Sequence, residues 1–321
     1  MSEQGRVSGA STEIRSAWIH RLALLTFAAT GVLIFVGGLV TNTGSGLAVP
    51  DWPTTFGYNM FLYPWSKMVG GIFYEHSHRL IGSVVGLLTL TLALLLWVTD
   101  SRRSVRWLAA LGVVGVIGQG VLGGLRVVVP SVGGALAIIH GCLAPAFLAL
   151  TAALVQFTSS EWNQEPQKIM AADSGALKRL CLLTTVLVYM QIVFGAMLTH
   201  MGGLLHAHLL FAALVAIHVF LLARRIMKHH PDQRKLMRPA TALLGLLVVQ
   251  LVLGIGSYVA RFTSLEIPYA PVLGLALPTT HRVSGALMLA VCMVLTLRAY
   301  RLLLSQEVIA GRGFVAEQVR A

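Results

Sequence analysis

Residues 80–99 read LIGSVVGLLTLTLALLLWVT, an uncharged run between Arg79 and Asp100. As a helix rising 1.5 Å per residue, a run of roughly 20 residues crosses the hydrocarbon core of a bilayer. Outward from it, the same signature recurs along the chain. The full set of apolar stretches is 18–42, 74–99, 106–127, 133–157, 179–200, 204–224, 238–260 and 279–300. Soluble domains carry about 25% charged residues. This chain has 11%, against 56% hydrophobic, and a mean hydropathy of +0.78. The expected fold class is an all-α integral membrane protein with eight transmembrane helices. The first stretch is too long for the h-region of a signal peptide and seven spans follow it, so it reads as a span. Glu3 and Glu13 ahead of it argue against a mitochondrial transit peptide, which is poor in acids.

A net charge of +12 raises the question of a nucleic-acid partner. The placement of the charge answers it. All but five of the 24 Lys and Arg fall in alternate segments: before the first span (Arg6, Arg15, Arg21), in the second, fourth and sixth connections, and after the last span (Arg298, Arg301, Arg312, Arg320). The other five, Lys67, Arg79, Arg126, Arg261 and Arg282, lie on the opposite side. By the positive-inside rule both termini are cytoplasmic, which an even number of spans permits. The basic charge is a topology signal. The expected surroundings are membrane lipid, with no nucleic acid. Cys142, Cys181 and Cys292 all fall within spans and form no Cys-x-x-Cys motif, so they read as small buried hydrophobes.

The spans repeat. Odd-numbered ones carry Gln119 with Gly123, Gln191 with Gly195, and Gln250 with Gly254; the first has Leu33 with Gly37. Even-numbered ones open on the outer side with a histidine followed four residues later by a small residue: His78 with Gly82, His140 with Ala144, His208 with Ala212, His281 with Gly285. This predicts a duplicated unit, two pseudo-symmetric four-helix bundles running parallel in the membrane. The expected division is an N-terminal half at 1–160, a cytoplasmic linker at 161–178 and a C-terminal half at 179–321. Small residues allow close helix packing, as in the Gly120/Gly124 pair. They equally leave room for a flat macrocycle. The longest outer segment, 43–73, is rich in Gly, Pro and aromatic residues, and 261–278 forms a second outer loop.

Four histidines at equivalent depth are hard to explain as isolated structural residues, because ionisable groups inside a membrane are costly. Of the rest, His229 and His230 fall in a basic cytoplasmic loop and read as solvated. His20 and His218 read as structural, and His76, His200 and His206 as accessory groups. Imidazole binds iron, copper and zinc. Facing helices of a bundle can supply two axial histidines to a heme iron. Zinc needs further ligands that each half lacks, so heme ranks first. His206 is the alternative ligand to His208, and the small-residue register favours His208. Glu75 stands one turn before His78, whereas Leu205 and Pro278 hold the matching positions before His208 and His281. Glu75 is thus a candidate base or cation stabiliser; an ion pair with Arg79 is the simpler alternative. Arg79 and Arg282 each follow a histidine and suit heme propionates, or else mark the membrane boundary by snorkelling.

Glu75-His76-Ser77-His78-Arg79 resembles the Glu-x-x-His-Arg motif of the heme A synthase family. Gly44-Ser45-Gly46-Leu47 followed by Pro50-Asp51-Trp52-Pro53 is similar to the first outer loop of that family. The resemblance covers about 20–300 and is most specific in these two segments. It implies an oxidoreductase in the cytoplasmic membrane of a prokaryote. The substrate would be heme O, one ring methyl becoming a formyl group by two hydroxylations and loss of water. The product would be heme A for a terminal cytochrome oxidase. It further implies His78 and His140 as axial ligands of the substrate heme, His208 and His281 as those of heme b, and Glu75 as the catalytic glutamate. Heme O synthase and an electron donor are the implied partners, and homo-oligomerisation is left open. Many bacterial members carry two cysteines beside the Pro-Asp-Trp-Pro segment; Val49 and Thr55 stand there instead. That disulfide cannot form, which points to a cysteine-free branch or another electron route. The competing readings are a non-catalytic di-heme b-type electron carrier, and a transporter or heme-binding assembly factor.

Overall fold

The computed structural model describes residues 3–265 and 268–304, with the backbone alone for 3–16. Arg312, Arg320 and the side chains of Glu3, Arg6, Glu13 and Arg15 lie outside the described residues. Eight long helices carry the fold: α1 (Glu3–Asn42), α2 (Gly71–Thr99), α3 (Arg103–Val128), α4 (Gly133–Thr158), α5 (Ser174–Met201), α6 (Leu205–His229), α7 (Arg234–Phe262) and α8 (Ala270–Leu302). Each contains a segment long and apolar enough to cross a membrane. Much of their outer surface is apolar and exposed, as at Leu94, Val248, Val252 and Ile255. Lipid, not water, is the medium in which such a surface carries no penalty. The chain is therefore a multi-pass membrane protein.

α1 packs against α2 and α4, α2 against α3, and α3 against α4. The later helices repeat this order: α5 touches α6 and α8, α6 touches α7, and α7 touches α8. α4 and α1 meet α8, and α4 meets α5. Ile34 of α1, Leu148 of α4 and Ala286 of α8 form a buried cluster where these helices converge. A larger core, including Leu177, Leu222, Leu243 and Leu295, fills the space among α5 to α8 on the side of the basic loops.

The structure corrects the reading of the last span. α8 begins at Ala270, not 279, so most of the expected 261–278 loop is helical. Pro278, which removes a backbone donor, lies inside that helix. Within a membrane bundle an internal proline is tolerated. The all-α expectation also misses one short pairing. Linker residues Ile169–Met170 run parallel to Leu303–Leu304, and Lys168 Nζ donates to the Arg301 carbonyl at 2.7 Å. His230, expected to be solvated, is buried. Its Nε2 lies 3.1 Å from Asp173 Oδ1, and Arg225 Nε donates to Oδ2 of the same carboxylate at 2.8 Å. Burial works to raise the Asp173 pKa, but Arg225 and His230 outweigh it and hold the carboxyl below its usual range.

Candidate functional site

The repeated small residues and histidines come together in one way four times. His78 lies over Gly37, where a Cβ would come within 2.9 Å of the imidazole. The corresponding distances are 3.7 Å for Gly123 and His140, 3.2 Å for Gly195 and His208, and 3.0 Å for Gly254 and His281. Each odd-numbered helix thus provides a notch for the histidine of the next helix. The glutamines one turn earlier brace three of them. Gln119 Nε2 donates to the His140 carbonyl at 3.2 Å. The Gln191 amide nitrogen is 3.2 Å from His208 Nδ1. His281 Nδ1 is 3.2 Å from the Gln250 backbone carbonyl. With that contact the Nδ1 proton is donated, and the Nε2 lone pair faces the Gln250 side-chain amide nitrogen at 3.3 Å. The Ser284 hydroxyl bonds Gln250 Oε1 and fixes the amide in turn.

Notched in this way, the histidines form two pairs. His78 and His140 have ring centroids 6.4 Å apart with planes at 74°. His208 and His281 are also 6.4 Å apart, at 68°. Metal–imidazole bonds are about 2.0 Å, so two rings on opposite sides of one ion have centroids roughly 6 Å apart. Nδ1 of His78 and Nδ1 of His140 are buried with no hydrogen-bond partner among the described residues. An orphaned buried nitrogen is costly unless something binds there. No group of three or more His, Cys, Asp or Glu gathers among the described residues. Each pair thus supplies two donors, and an ion between them would take its others from a macrocycle. The residues present fit a heme.

Among the described residues, only the first pair has an acid beside it. Glu75 is buried at 5% exposure. Its Oε1 accepts from Arg79 at 2.7 Å, and its Oε2 accepts from the Val49 N–H at 2.9 Å. Arg79 also donates to the carbonyls of Asp51 at 2.8 Å, Thr54 at 3.0 Å and Val49 at 3.3 Å. A guanidinium has five N–H groups, so these contacts leave Nε alone for anything else. The ion pair and a site role are therefore not alternatives: Arg79 fastens the outer loop and Glu75 to each other. His76 is buried and bonds the Thr55 hydroxyl at 3.1 Å. Trp52 sets its indole against Gly124 of α3. That glycine serves a loop contact rather than the helix pairing suggested by Gly120/Gly124. Asp51 closes the turn beyond it, accepting from the N–H groups of Phe56 at 2.7 Å and Gly57 at 2.8 Å.

The sequence of the region from the first span through the histidine of α6 has known counterparts. The family model described as "Cytochrome oxidase assembly protein" matches residues 20–208. This chain belongs to the cytochrome oxidase assembly protein family. The matched stretch of this assembly-family chain holds Glu75, His78, His140 and His208; His281 lies beyond it. The chain is similar to a protein named heme A synthase from Shouchella clausii, 31% identical over 190 residues, 58% of this chain and 61% of that relative. It is also similar to a heme A synthase from Methylobacterium radiotolerans, 28% identical over 217 residues, 58% of this chain and 56% of that relative. The chain thus spans about six-tenths of the length of these relatives.

Within this assembly-family fold, His208 faces His281 and Gly195, while His206 is exposed. His218 bonds the Leu214 carbonyl at 2.9 Å, and His20 lies 3.2 Å from the Thr158 hydroxyl; both are structural contacts. Arg126 was not singled out by its sequence context. Its guanidinium lies against Gly46 of the outer loop, where a Cβ would meet it at 2.8 Å. The Gln-x-x-x-Gly repeat was legible, but its use as brace and notch appears only in three dimensions.

Proposed function

We propose that this chain is a heme A synthase, oxidising a ring methyl of heme O to a formyl group for a terminal cytochrome oxidase. One observation carries the reading: two histidine pairs share a separation of 6.4 Å, and among the described residues one of them alone has a fastened carboxylate, Glu75. The heme A synthase relatives support it. In this reading α1–α4, with residues 1–160, hold the substrate heme through His78 and His140. Residues 179–321, with α5–α8, hold heme b through His208 and His281, and 161–178, whose last five residues open α5, link the halves. The two closed sets of helix contacts support that division.

Heme b would supply one-electron transfer between the substrate site and a donor. The rest falls to the side chains. Gln250 sets the His281 tautomer, and the glycine notches set the depth of each ring. Glu75, pinned at both oxygens and shielded by the outer loop, is placed to take a proton from the reacting carbon or to stabilise positive charge on it. Arg79 supports this site through Glu75 and the loop, and Arg282 lies beside the second pair. The charge distribution supports cytoplasmic termini, and the sources of the two relatives support the inner membrane of a prokaryote. Heme O synthase and an electron donor are the partners this chemistry requires.

The test is heme extraction and chromatography from cells making the protein together with heme O. Heme A forms with the wild type and is absent with Glu75→Ala, while bound heme is retained. The equal geometry of the two pairs favours one second reading, a non-catalytic di-heme carrier. Bound heme b with no heme A from the wild type would establish that reading instead.

A further inference from the structure

On the side of the basic loops several basic residues have acidic partners: Arg102 with Asp100, Arg225 with Asp173, Arg298 and Lys235 with Glu161. On the opposite side Arg79 is paired with Glu75. Arg126 and Arg282 are not. Both are half-buried, and neither has a hydrogen-bond or ion-pair partner among the described residues. A guanidinium removed from water and left unpaired is costly. Two of them within electrostatic reach of one histidine, His200, therefore call for an anion.

Their neighbours indicate where that anion lies. Arg126 is within electrostatic reach of His78, of His140 and of Glu75. Arg282 is within reach of His281. His200, at the outer end of α5, is within reach of both guanidiniums and of His140. Its Nε2 sits 4.0 Å from where a Cβ on Gly141 would lie, at the meeting of α4 and α5. Glycines 46 and 133 leave the space that Arg126 occupies. Arg79, which by sequence seemed the counterpart of Arg282, is consumed by the outer loop.

We propose that Arg126 and Arg282, with His200 between them, form a carboxylate-binding subsite on the outer side of the two histidine pairs, taking the propionates of the porphyrin in each half. In the first half this role belongs to Arg126 and not to Arg79. The planar fork of arginine matches a carboxylate with two parallel hydrogen bonds. A lipid phosphate offers the same oxygen chemistry, and the experiment separates the two. The proposal rests on the histidine pairs being heme ligands.

The full-length protein is purified without heme and titrated with hemin and with hemin dimethyl ester, whose propionates are blocked. The low-spin Soret band reports bis-histidine ligation, and its titration gives affinity. The wild type should prefer the free acid by about tenfold or more, as expected for a charge-assisted hydrogen bond. Arg126→Gln and Arg282→Gln should each reduce that preference, and the double variant should abolish it. Arg126→Lys, which keeps the charge, should retain part of it and guards against a folding defect. Low-spin spectra with equal affinity for acid and ester in the wild type overturn the subsite but leave the ligand reading intact. No low-spin spectrum with either compound overturns both. Loss of bound phosphatidylglycerol in the glutamine variants, measured by native mass spectrometry with the acid preference unchanged, assigns the arginines to lipid and overturns the proposal.

Discussion

At the scale of single residues, the site is built from absences as much as from functional groups. A glycine under each histidine ring sets how deep that ring can sit. Gly254→Val puts a branched side chain where even a Cβ lies 3.0 Å from the His281 imidazole. Overpacking of this kind costs about 1–3 kcal/mol, and displacement of the ring relieves it. The expected outcome is loss of the heme signal of the second pair with that of the first retained, read by quantitative heme analysis and reduced-minus-oxidised spectra. Thr55→Ala tests a structural contact. It leaves buried His76 without its hydroxyl partner, an effect of about 1–3 kcal/mol. A lower unfolding temperature with little change in heme content is expected. Of these residues, the four histidines and Glu75 were legible in the sequence through repetition and its one asymmetry. Arg126 was not. A basic residue near the end of a span looks the same whether it snorkels or faces a ligand, and its packing against Gly46 has no sequence signature.

Whole elements show the same division between pattern and contact. Every span was visible from hydropathy, because an apolar run of membrane-crossing length has few other uses. Helix ends were less visible. α8 gained nine residues because Pro278 is accommodated inside a bundle. The outer loop was recognisable by composition but not by structure. Its bonds run from side chains to backbone carbonyls and N–H groups, which have no sequence signature. Asp51 is central to that loop. Burial works to raise its pKa, but hydrogen bonds from Gly57, Thr54 and Phe56 outweigh it and leave the pKa lowered. A carboxylate with a depressed folded pKa stabilises above its unfolded value of about 3.9, and that contribution is lost as pH falls through the folded value. The loop should therefore be fully held at neutral pH and loosen only in acid below about pH 4. Asp51→Asn should be looser at neutral pH and lose this dependence. Hydrogen-exchange protection of the Phe56 and Gly57 amides measures both.

For the molecule as a whole, the charge bias and the helix contacts lead to one arrangement. In the proposed topology the odd-even order of the spans makes the halves parallel, so both histidine pairs would lie towards the same face. This face carries the outer loop. All three native cysteines are free and buried, which gives a silent background for site-directed labelling. Phe61, 67% exposed in the outer loop, becomes an accessible thiol in Phe61→Cys. His229→Cys places one at the opposite end. A membrane-impermeant maleimide added to intact cells should label the first and not the second. Labelling of both, or of the second alone, would refute the proposed topology.

The way the outer loop is fastened bears on how the protein comes to be assembled. Val49 donates its N–H to Glu75, Thr55 holds His76, and Arg79 grips three carbonyls; none of these contacts involves sulfur. The three thiols that exist are shut inside helices. The set of contacts that holds Glu75 is thus complete when the chain has folded, with no step left for a cell's thiol-oxidising machinery. Its geometry should be the same in an oxidising and a reducing exterior. Host strains that differ in disulfide-forming capacity should yield the protein in one and the same form.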